Sequence, residues 1–290
     1  MKKIIIAFTI LILNILIANP SYAIKIGLLT QVNEAGVGVN VNGRMIDVHT
    51  NKTVCTADAM RGYVLVPHNN EIAVKAGGKI YTLGTGAIVL RTDNDGFVSA
   101  KGKWYHGKLL IKNMNGKLTV INDIDLENYI KGVVPSEMPA GWEYEALKAQ
   151  AIAARSFALA NLGKQAKYGY DLKDNTEDQA YGGASAETNI TNKAVEETHG
   201  LVLTYDMKII SAYYTASAGG MTSTSNSVWG GYAPYLHSVP SFDDSVGRKG
   251  HGVGMSQHGA NNLAKQGYNA YQILQYFYSN VKFAKLNKDT

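Results

Sequence analysis

Seven of the eighteen residues from Glu143 to Ala160 are alanine, and Leu147, Ile152 and Phe157 stand among them. Alanine is the best helix former. A helix apolar nearly all round has no polar face to turn to water, so it belongs inside a fold large enough to enclose it. Its small side chains also let other backbones approach closely on several sides. The pattern predicts one long helix from Glu143 to Leu162, ended by Gly163, with the second half of the 290-residue chain built around it. A chain of this length buries a sizeable core without disulfide staples. With 46% hydrophobic and 18% charged residues, it is neither disordered nor an acidic solvating protein.

Ahead of that helix the character is different. Lys2 and Lys3 precede a run from Ile4 to Ala18 that only Thr9 and Asn14 interrupt, and Ser21-Tyr22-Ala23 follows Pro20. This three-part pattern predicts a secretory signal peptide over residues 1–23. The run is shorter than the ~20 apolar residues of a membrane span. Contact with a membrane is expected only if that segment stays uncleaved. The expected address is the periplasm or the extracellular cell wall. The lone Cys55 fits an oxidising compartment, and it can neither close an intramolecular disulfide nor supply a Cys-rich zinc knuckle. Export also argues against nucleotide chemistry, and Gly36-Val37-Gly38 and Gly84-Thr85-Gly86 match no phosphate-loop spacing. The 28 basic and 23 acidic residues leave a surplus of +5 that is gathered in no block, which excludes a nucleic-acid stripe.

From Ile24 to Asn122, strand-length apolar runs such as Tyr63 to Val66, Ile80 to Leu83, Ala87 to Leu90 and Leu109 to Ile111 alternate with turn clusters. The fold expected is α+β: a β-rich half over 24–122, then a mixed half over 123–290 around the buried helix. In that second half, Asp125 caps a short helix from Leu126 to Lys131 that stops at Gly132. Pro135 and Pro139 should keep the next segment out of regular helix. Further helices are expected over Asn189 to Thr198, Ser256 to Gln266, and from Asn269 to Tyr278. A hairpin should turn at Asp206-Met207.

Glu137 is the leading candidate for chemistry. Val133, Val134, Pro135, Met138, Pro139 and Trp142 surround it in sequence, and a carboxyl among apolar groups keeps its proton. The plain alternative is an exposed acid favoured by the dipole at the start of the following helix. Arg155, a cation on a buried helix, either serves a substrate or Glu137, or forms a structural salt bridge. The run Gly250 to Ala260 alternates glycine with other residues and leads into a helix N-terminus, where His251 and Gln257 are placed to donate to a ligand. Two further loops, Gln179 to Gly183 and Tyr213 to Thr222, are either ligand-contacting or ordinary turns.

Together these stretches resemble the SpoIID/LytB family, from about Leu109 to Phe283. The segment from Leu126 to Pro139 carries most of the likeness, with Glu145 to Ala151, Ala153 to Ser156, Gln179 to Gly183, Tyr214 to Thr222, Val228-Trp229-Gly230, Pro234-Tyr235-Leu236 and Gly250 to Ala260 following in order. The resemblance implies a protein acting on peptidoglycan glycan strands, with Glu137 matching the family's catalytic acid. SpoIID-type members are lytic transglycosylases that use one carboxyl to leave a 1,6-anhydro-muramic end. LytB-type members imply instead a wall-binding enhancer of a cell-wall amidase. Arg155, Gln179, Tyr181, Ser217, His251 and Gln257 fall at matching positions and are expected to contact substrate. Zinc, which some members hold near the stretch matching Tyr213 to Gly220, is not expected, because Thr215, Ala216, Ser217 and Ala218 include neither His nor Cys. No cofactor is expected. The short join from Asp243 to Lys249, where longer members carry an insertion, implies a more open groove.

Overall fold

The computed structural model describes residues 22–286, so all of the expected signal peptide except Tyr22 and Ala23 lies outside the described residues. Strand makes up 36% and helix 26% of an α+β fold, with six helices among the described residues. A seven-stranded sheet runs in the order Leu172–Lys173, Ala23–Val32, Lys117–Asp125, Lys108–Met114, Ala87–Thr92, Gly43–Asp47, Thr53–Ala57. A six-stranded sheet follows the order Lys103–Tyr105, Val98–Ala100, Ala35–Val39, Gly62–His68, Glu71–Ala76, Lys79–Thr82. Turn chemistry sets the registers. Asn115 and Gly116 both take positive φ (56° and 77°) between two paired strands, as the tightest antiparallel hairpins require.

The strand Lys117–Asp125 runs straight into helix α1 (Leu126–Glu137), and one continuous buried core extends from Ile24 to Val281. Asp125 caps α1, its Oδ1 accepting from the backbone N–H groups of Glu127 (2.9 Å) and Asn128 (3.1 Å). The helix does not stop at Gly132. It continues through Pro135 to Glu137, which corrects the expected boundary. Gly132 serves close packing instead: a Cβ there would stand 2.5 Å from the ring of Tyr181. Pro135 falls in the last turn, where it removes only one helical hydrogen bond. The Ser136 hydroxyl and the Gly182 N–H both donate to the Gly132 carbonyl (2.8 and 3.1 Å).

Helix α2 (Tyr144–Ala160) is the enclosed centre that its composition predicts, buried continuously from Ala149 to Ala158. Around it pack α1, α3 (Asn189–Glu197), α5 (Gln257–Lys265) and α6 (Ala270–Phe277), together with the strand Leu201–Tyr205. The short helix α4 (Ser225–Trp229) lies between α3 and α5 in the chain. The expected hairpin forms at Asp206 and Met207, both at positive φ. No helix among the described residues is long and apolar enough to cross a membrane.

Candidate functional site

Helix α1 ends on Glu137. The unpaired carbonyls of a helix C-terminus carry partial negative charge, which opposes ionisation of a carboxyl placed there. This excludes the reading of Glu137 as an acid at the start of the next helix, since α2 begins only at Tyr144. Burial raises the Glu137 pKa above that of an ordinary glutamate, and three hydrogen bonds to the carboxylate only partly offset it. They come from the Ala180 backbone N–H to Oε1 (2.7 Å), the Tyr214 hydroxyl to Oε1 (3.3 Å) and Gln257 Nε2 to Oε2 (3.2 Å).

Each donor is held by a separate piece of chain. Gln257 is the first residue of α5, whose cap Ser256 accepts from the Gly259 N–H (3.0 Å). The two-residue strand Tyr214–Thr215 pairs in parallel with Met255–Ser256, which sets Tyr214 beside Gln257. Gly254 makes this approach possible: its φ is +76°, and any Cβ would collide with the Tyr213 carbonyl. Behind Tyr214, Gln179 Nε2 donates to the phenol oxygen (2.9 Å), and Tyr129 donates to Gln179 Oε1 (3.2 Å). Burial pushes the Tyr214 phenol far above its usual range, so it remains a neutral donor aimed at Glu137.

In front of Glu137 opens a cleft of about 660 Å³. One wall is aromatic: Tyr213 and Trp229 have ring centroids 4.6 Å apart, and the His251 ring lies 5.0 Å from Trp229, whose surface is 47% exposed. Lys164, Glu177 and Asp178 also line the cleft. Lys173 pairs with Glu177 and Lys164 with Asp178, so both of these carboxylates are held in ion pairs. Glu137 is the cleft's remaining carboxyl among the described residues. His251 Nδ1 accepts from the Val253 N–H (3.0 Å), which puts the neutral ring's proton on Nε2, and burial lowers its pKa.

Of the residues expected in the groove, Glu137, His251 and Gln257 line this cleft. Arg155 does not. It is fully buried and forms a two-pronged pair with Glu127 (Nε–Oε1 2.8 Å, Nη2–Oε2 2.7 Å), so its salt-bridge reading holds and its substrate reading falls. Tyr181 is buried too, its hydroxyl donating to Asn122 (2.9 Å) and its ring packed on Tyr129. Ser217 is spent on Asp243 (2.9 Å). Gln179 acts one layer back, through Tyr214. The loop Gln179 to Gly183 is a buried support that presents the Ala180 N–H, not a surface turn. At the start of α5 the His258 N–H donates to the Ala216 carbonyl (3.1 Å) and the Gly259 N–H to the Ser256 hydroxyl (3.0 Å). Sequence reasoning passed over Tyr214 individually, along with Lys164, Asp178 and Lys249. Only tertiary pairing brings them to one cleft. Of the acids that follow Glu137 closely in sequence, Glu145 accepts from the Ala270 N–H at the start of α6 (2.7 Å) and pairs with Lys148, while Glu143 is exposed outside the cleft.

The stretch Tyr213 to Gly220 does not fit a metal here. Thr215 donates to the Lys249 carbonyl (2.9 Å) and Ser217 to Asp243, and Asp243 is already saturated by the hydroxyls of Ser217, Ser241 and Ser256 and the N–H groups of Ala218 and Gly220. Burial alone would raise the Asp243 pKa, but these donors outweigh it and hold the carboxyl at about 2.

Residues 114–205 match the SpoIID family, described as Stage II sporulation protein. An uncharacterized protein of Brachyspira hyodysenteriae is 35% identical over 196 residues, covering 67% of this chain and 49% of that protein. The Amidase enhancer of Bacillus subtilis is 50% identical over 107 residues, 37% of this chain and 14% of that protein. Stage II sporulation protein D of the same organism is 27% identical, the match taking in 57% of this chain and 76% of that protein. The chain thus spans about half the length of the Brachyspira relative and much less of the enhancer.

Proposed function

Because this chain belongs to the SpoIID/LytB family, we propose that it is an exported lytic transglycosylase that cuts peptidoglycan glycan strands between N-acetylmuramic acid and N-acetylglucosamine. The observation that carries this reading is a single desolvated carboxyl, Glu137, facing a cleft whose other carboxylates are neutralised by lysines. Oε1 already takes two donors and Oε2 only one, so Oε2 is the oxygen that holds the proton. Glu137 gives that proton to the glycosidic oxygen as the bond to muramic C1 breaks. The resulting carboxylate, stabilised by Ala180, Tyr214 and Gln257, takes the proton of the muramic C6 hydroxyl as its oxygen closes onto C1. The products are a 1,6-anhydro-muramic end and a free N-acetylglucosamine hydroxyl, and Glu137 is again protonated. No water enters. A hydrolase would instead call on a second carboxylate to direct water or trap the sugar. The aromatic wall of Tyr213 and Trp229 offers flat faces on which sugar rings stack, with His251 beside it.

A second reading has its own support, the 50% identity to a protein named Amidase enhancer. On that reading the cleft grips glycan for a partner amidase, and Glu137 is one contact among several. The two part on one experiment. A Glu137→Gln variant, added with a cell-wall amidase to purified sacculi, is expected to lose strand cleavage outright. Undiminished cleavage by Glu137→Gln would sink the transglycosylase reading. Absence of cleavage by native protein, with amidase stimulation kept by both, would establish the enhancer.

A further inference from the structure

Beside the catalytic cleft lies a second opening of about 300 Å³, and the two share one wall residue, Glu177. Its floor and one side come from the β-rich half. Gly27, Leu28 and Thr30 belong to the strand Ala23–Val32, and Lys101 to the turn before Lys103–Tyr105. The other side is the connection between α2 and the loop beneath Glu137: Tyr168, Tyr170, Lys173, Asp174 and Asn175. Tyr168 and Tyr170 are stacked with nearly parallel rings (18°, centroids 5.9 Å apart). Tyr170 is the buried member. It is clamped over Gly27, where a Cβ would enter the ring, and its hydroxyl bonds Thr30 (3.0 Å). Tyr168 is the outer ring, only partly covered, with the Lys167 ammonium 4.8 Å from its centroid. The rim is set with fixed polar groups: Lys101 paired to Asp174 (2.5 Å) and Lys173 paired to Glu177.

A ring backed by a second ring cannot tilt away, and ion pairs present donors and acceptors at set positions. That combination suits an uncharged, hydroxyl-rich ligand, which stacks one face and hydrogen-bonds at its edges. It suits an anion poorly, since Lys101 and Lys173, the two lysines that line the opening, are already paired with Asp174 and Glu177. Continuity across Glu177 says which such ligand. A linear polymer held at Glu137 and running past Lys173 and Glu177 arrives at Tyr168.

We propose that this second opening is a remote glycan subsite, so that the β-rich half helps to hold the strand cut at Glu137. The inference rests on the glycan reading above and extends it to a substrate several sugars long. Energy gained at such a distance from the scissile bond is available to orient it, which makes long strands better substrates than short ones.

The test uses the full chain carrying Glu137→Gln, to keep the strands intact, with and without Tyr168→Ala or Lys101→Ala. Calorimetry measures binding of an alternating N-acetylglucosamine–N-acetylmuramic acid tetrasaccharide and octasaccharide. The octasaccharide should bind more tightly than the tetrasaccharide. Either added substitution should cancel that advantage, a loss of about tenfold, and leave the tetrasaccharide unaffected. Equal affinity for the two lengths, an equal loss for both, or no binding of either would overturn the subsite. Cleavage surviving Glu137→Gln would instead overturn the catalytic reading, and is scored separately on product ends.

Discussion

Loss of a proton from Glu137 is disfavoured by two separate features, its burial and its place at the end of α1. The proposed reaction begins with the protonated form. Since the pKa is raised, that form persists above the ordinary carboxyl range. The rate should therefore hold through mildly acidic pH and fall as pH rises through the shifted value. Tyr214→Phe removes a hydrogen bond that favours ionisation, so it should move this falling limb to higher pH; a limb that stays put or moves down would deny Tyr214 that role. Linkage fixes the sign for stability as well. A raised carboxyl pKa contributes stability below the unfolded value and loses it as pH rises through the folded one. Glu137→Gln should thus be as stable as the native chain near neutrality, or more stable by up to about 1 kcal/mol, in denaturant titrations. The acidic character of Glu137 was legible in its apolar neighbours. The roles of Arg155, Tyr181 and Ser217 were not, because their partners Glu127, Asn122 and Asp243 lie 28, 59 and 26 residues away. A residue type and a matching motif position say nothing of which way a side chain turns.

Among the elements, helix α1 shows best where local rules yield to packing. Glycine and proline read as stop signals, yet both lie inside it. Gly132 gives room to the Tyr181 ring, and a proline in a last turn forfeits little. Propensity alone says that Gly132→Ala should stabilise the helix by about 1 kcal/mol. The new methyl, 2.5 Å from a buried ring, reverses the sign, and thermal unfolding should show a loss of about 1–3 kcal/mol instead. Where packing and propensity agree, the sequence was a sound guide: α2, the Asp206-Met207 turn and the Asn269 cap all lie where local chemistry puts them. Asp243 is the counterpart among the loops. Its carboxylate gathers donors from Ser217 to Gly220, Ser241 and Ser256, and Ser256 begins the helix that delivers Gln257. Asp243→Ala strands those buried donors and should cost about 3 kcal/mol or more by urea titration.

For the whole molecule, the change of character near Asp123 marks where strand gives way to helix, but the core runs on through it. Leu172–Lys173 adds a strand from the second half to the edge of the first half's sheet, beside Ala23–Val32. The second opening is built across the same junction. Calorimetry of the chain from residue 24 onward should therefore give one unfolding transition, and a fragment beginning at Asp123 should not fold alone. Two separable transitions would show that the halves are independent.

The most direct measurement of Glu137's role is mass spectrometry of the ends released from purified glycan strands by the native protein and by Glu137→Gln. The single-carboxyl mechanism predicts 1,6-anhydro-muramic ends, one water lighter than reducing ends, from the native protein alone. Reducing ends from the native protein, or anhydro ends from both, would contradict it.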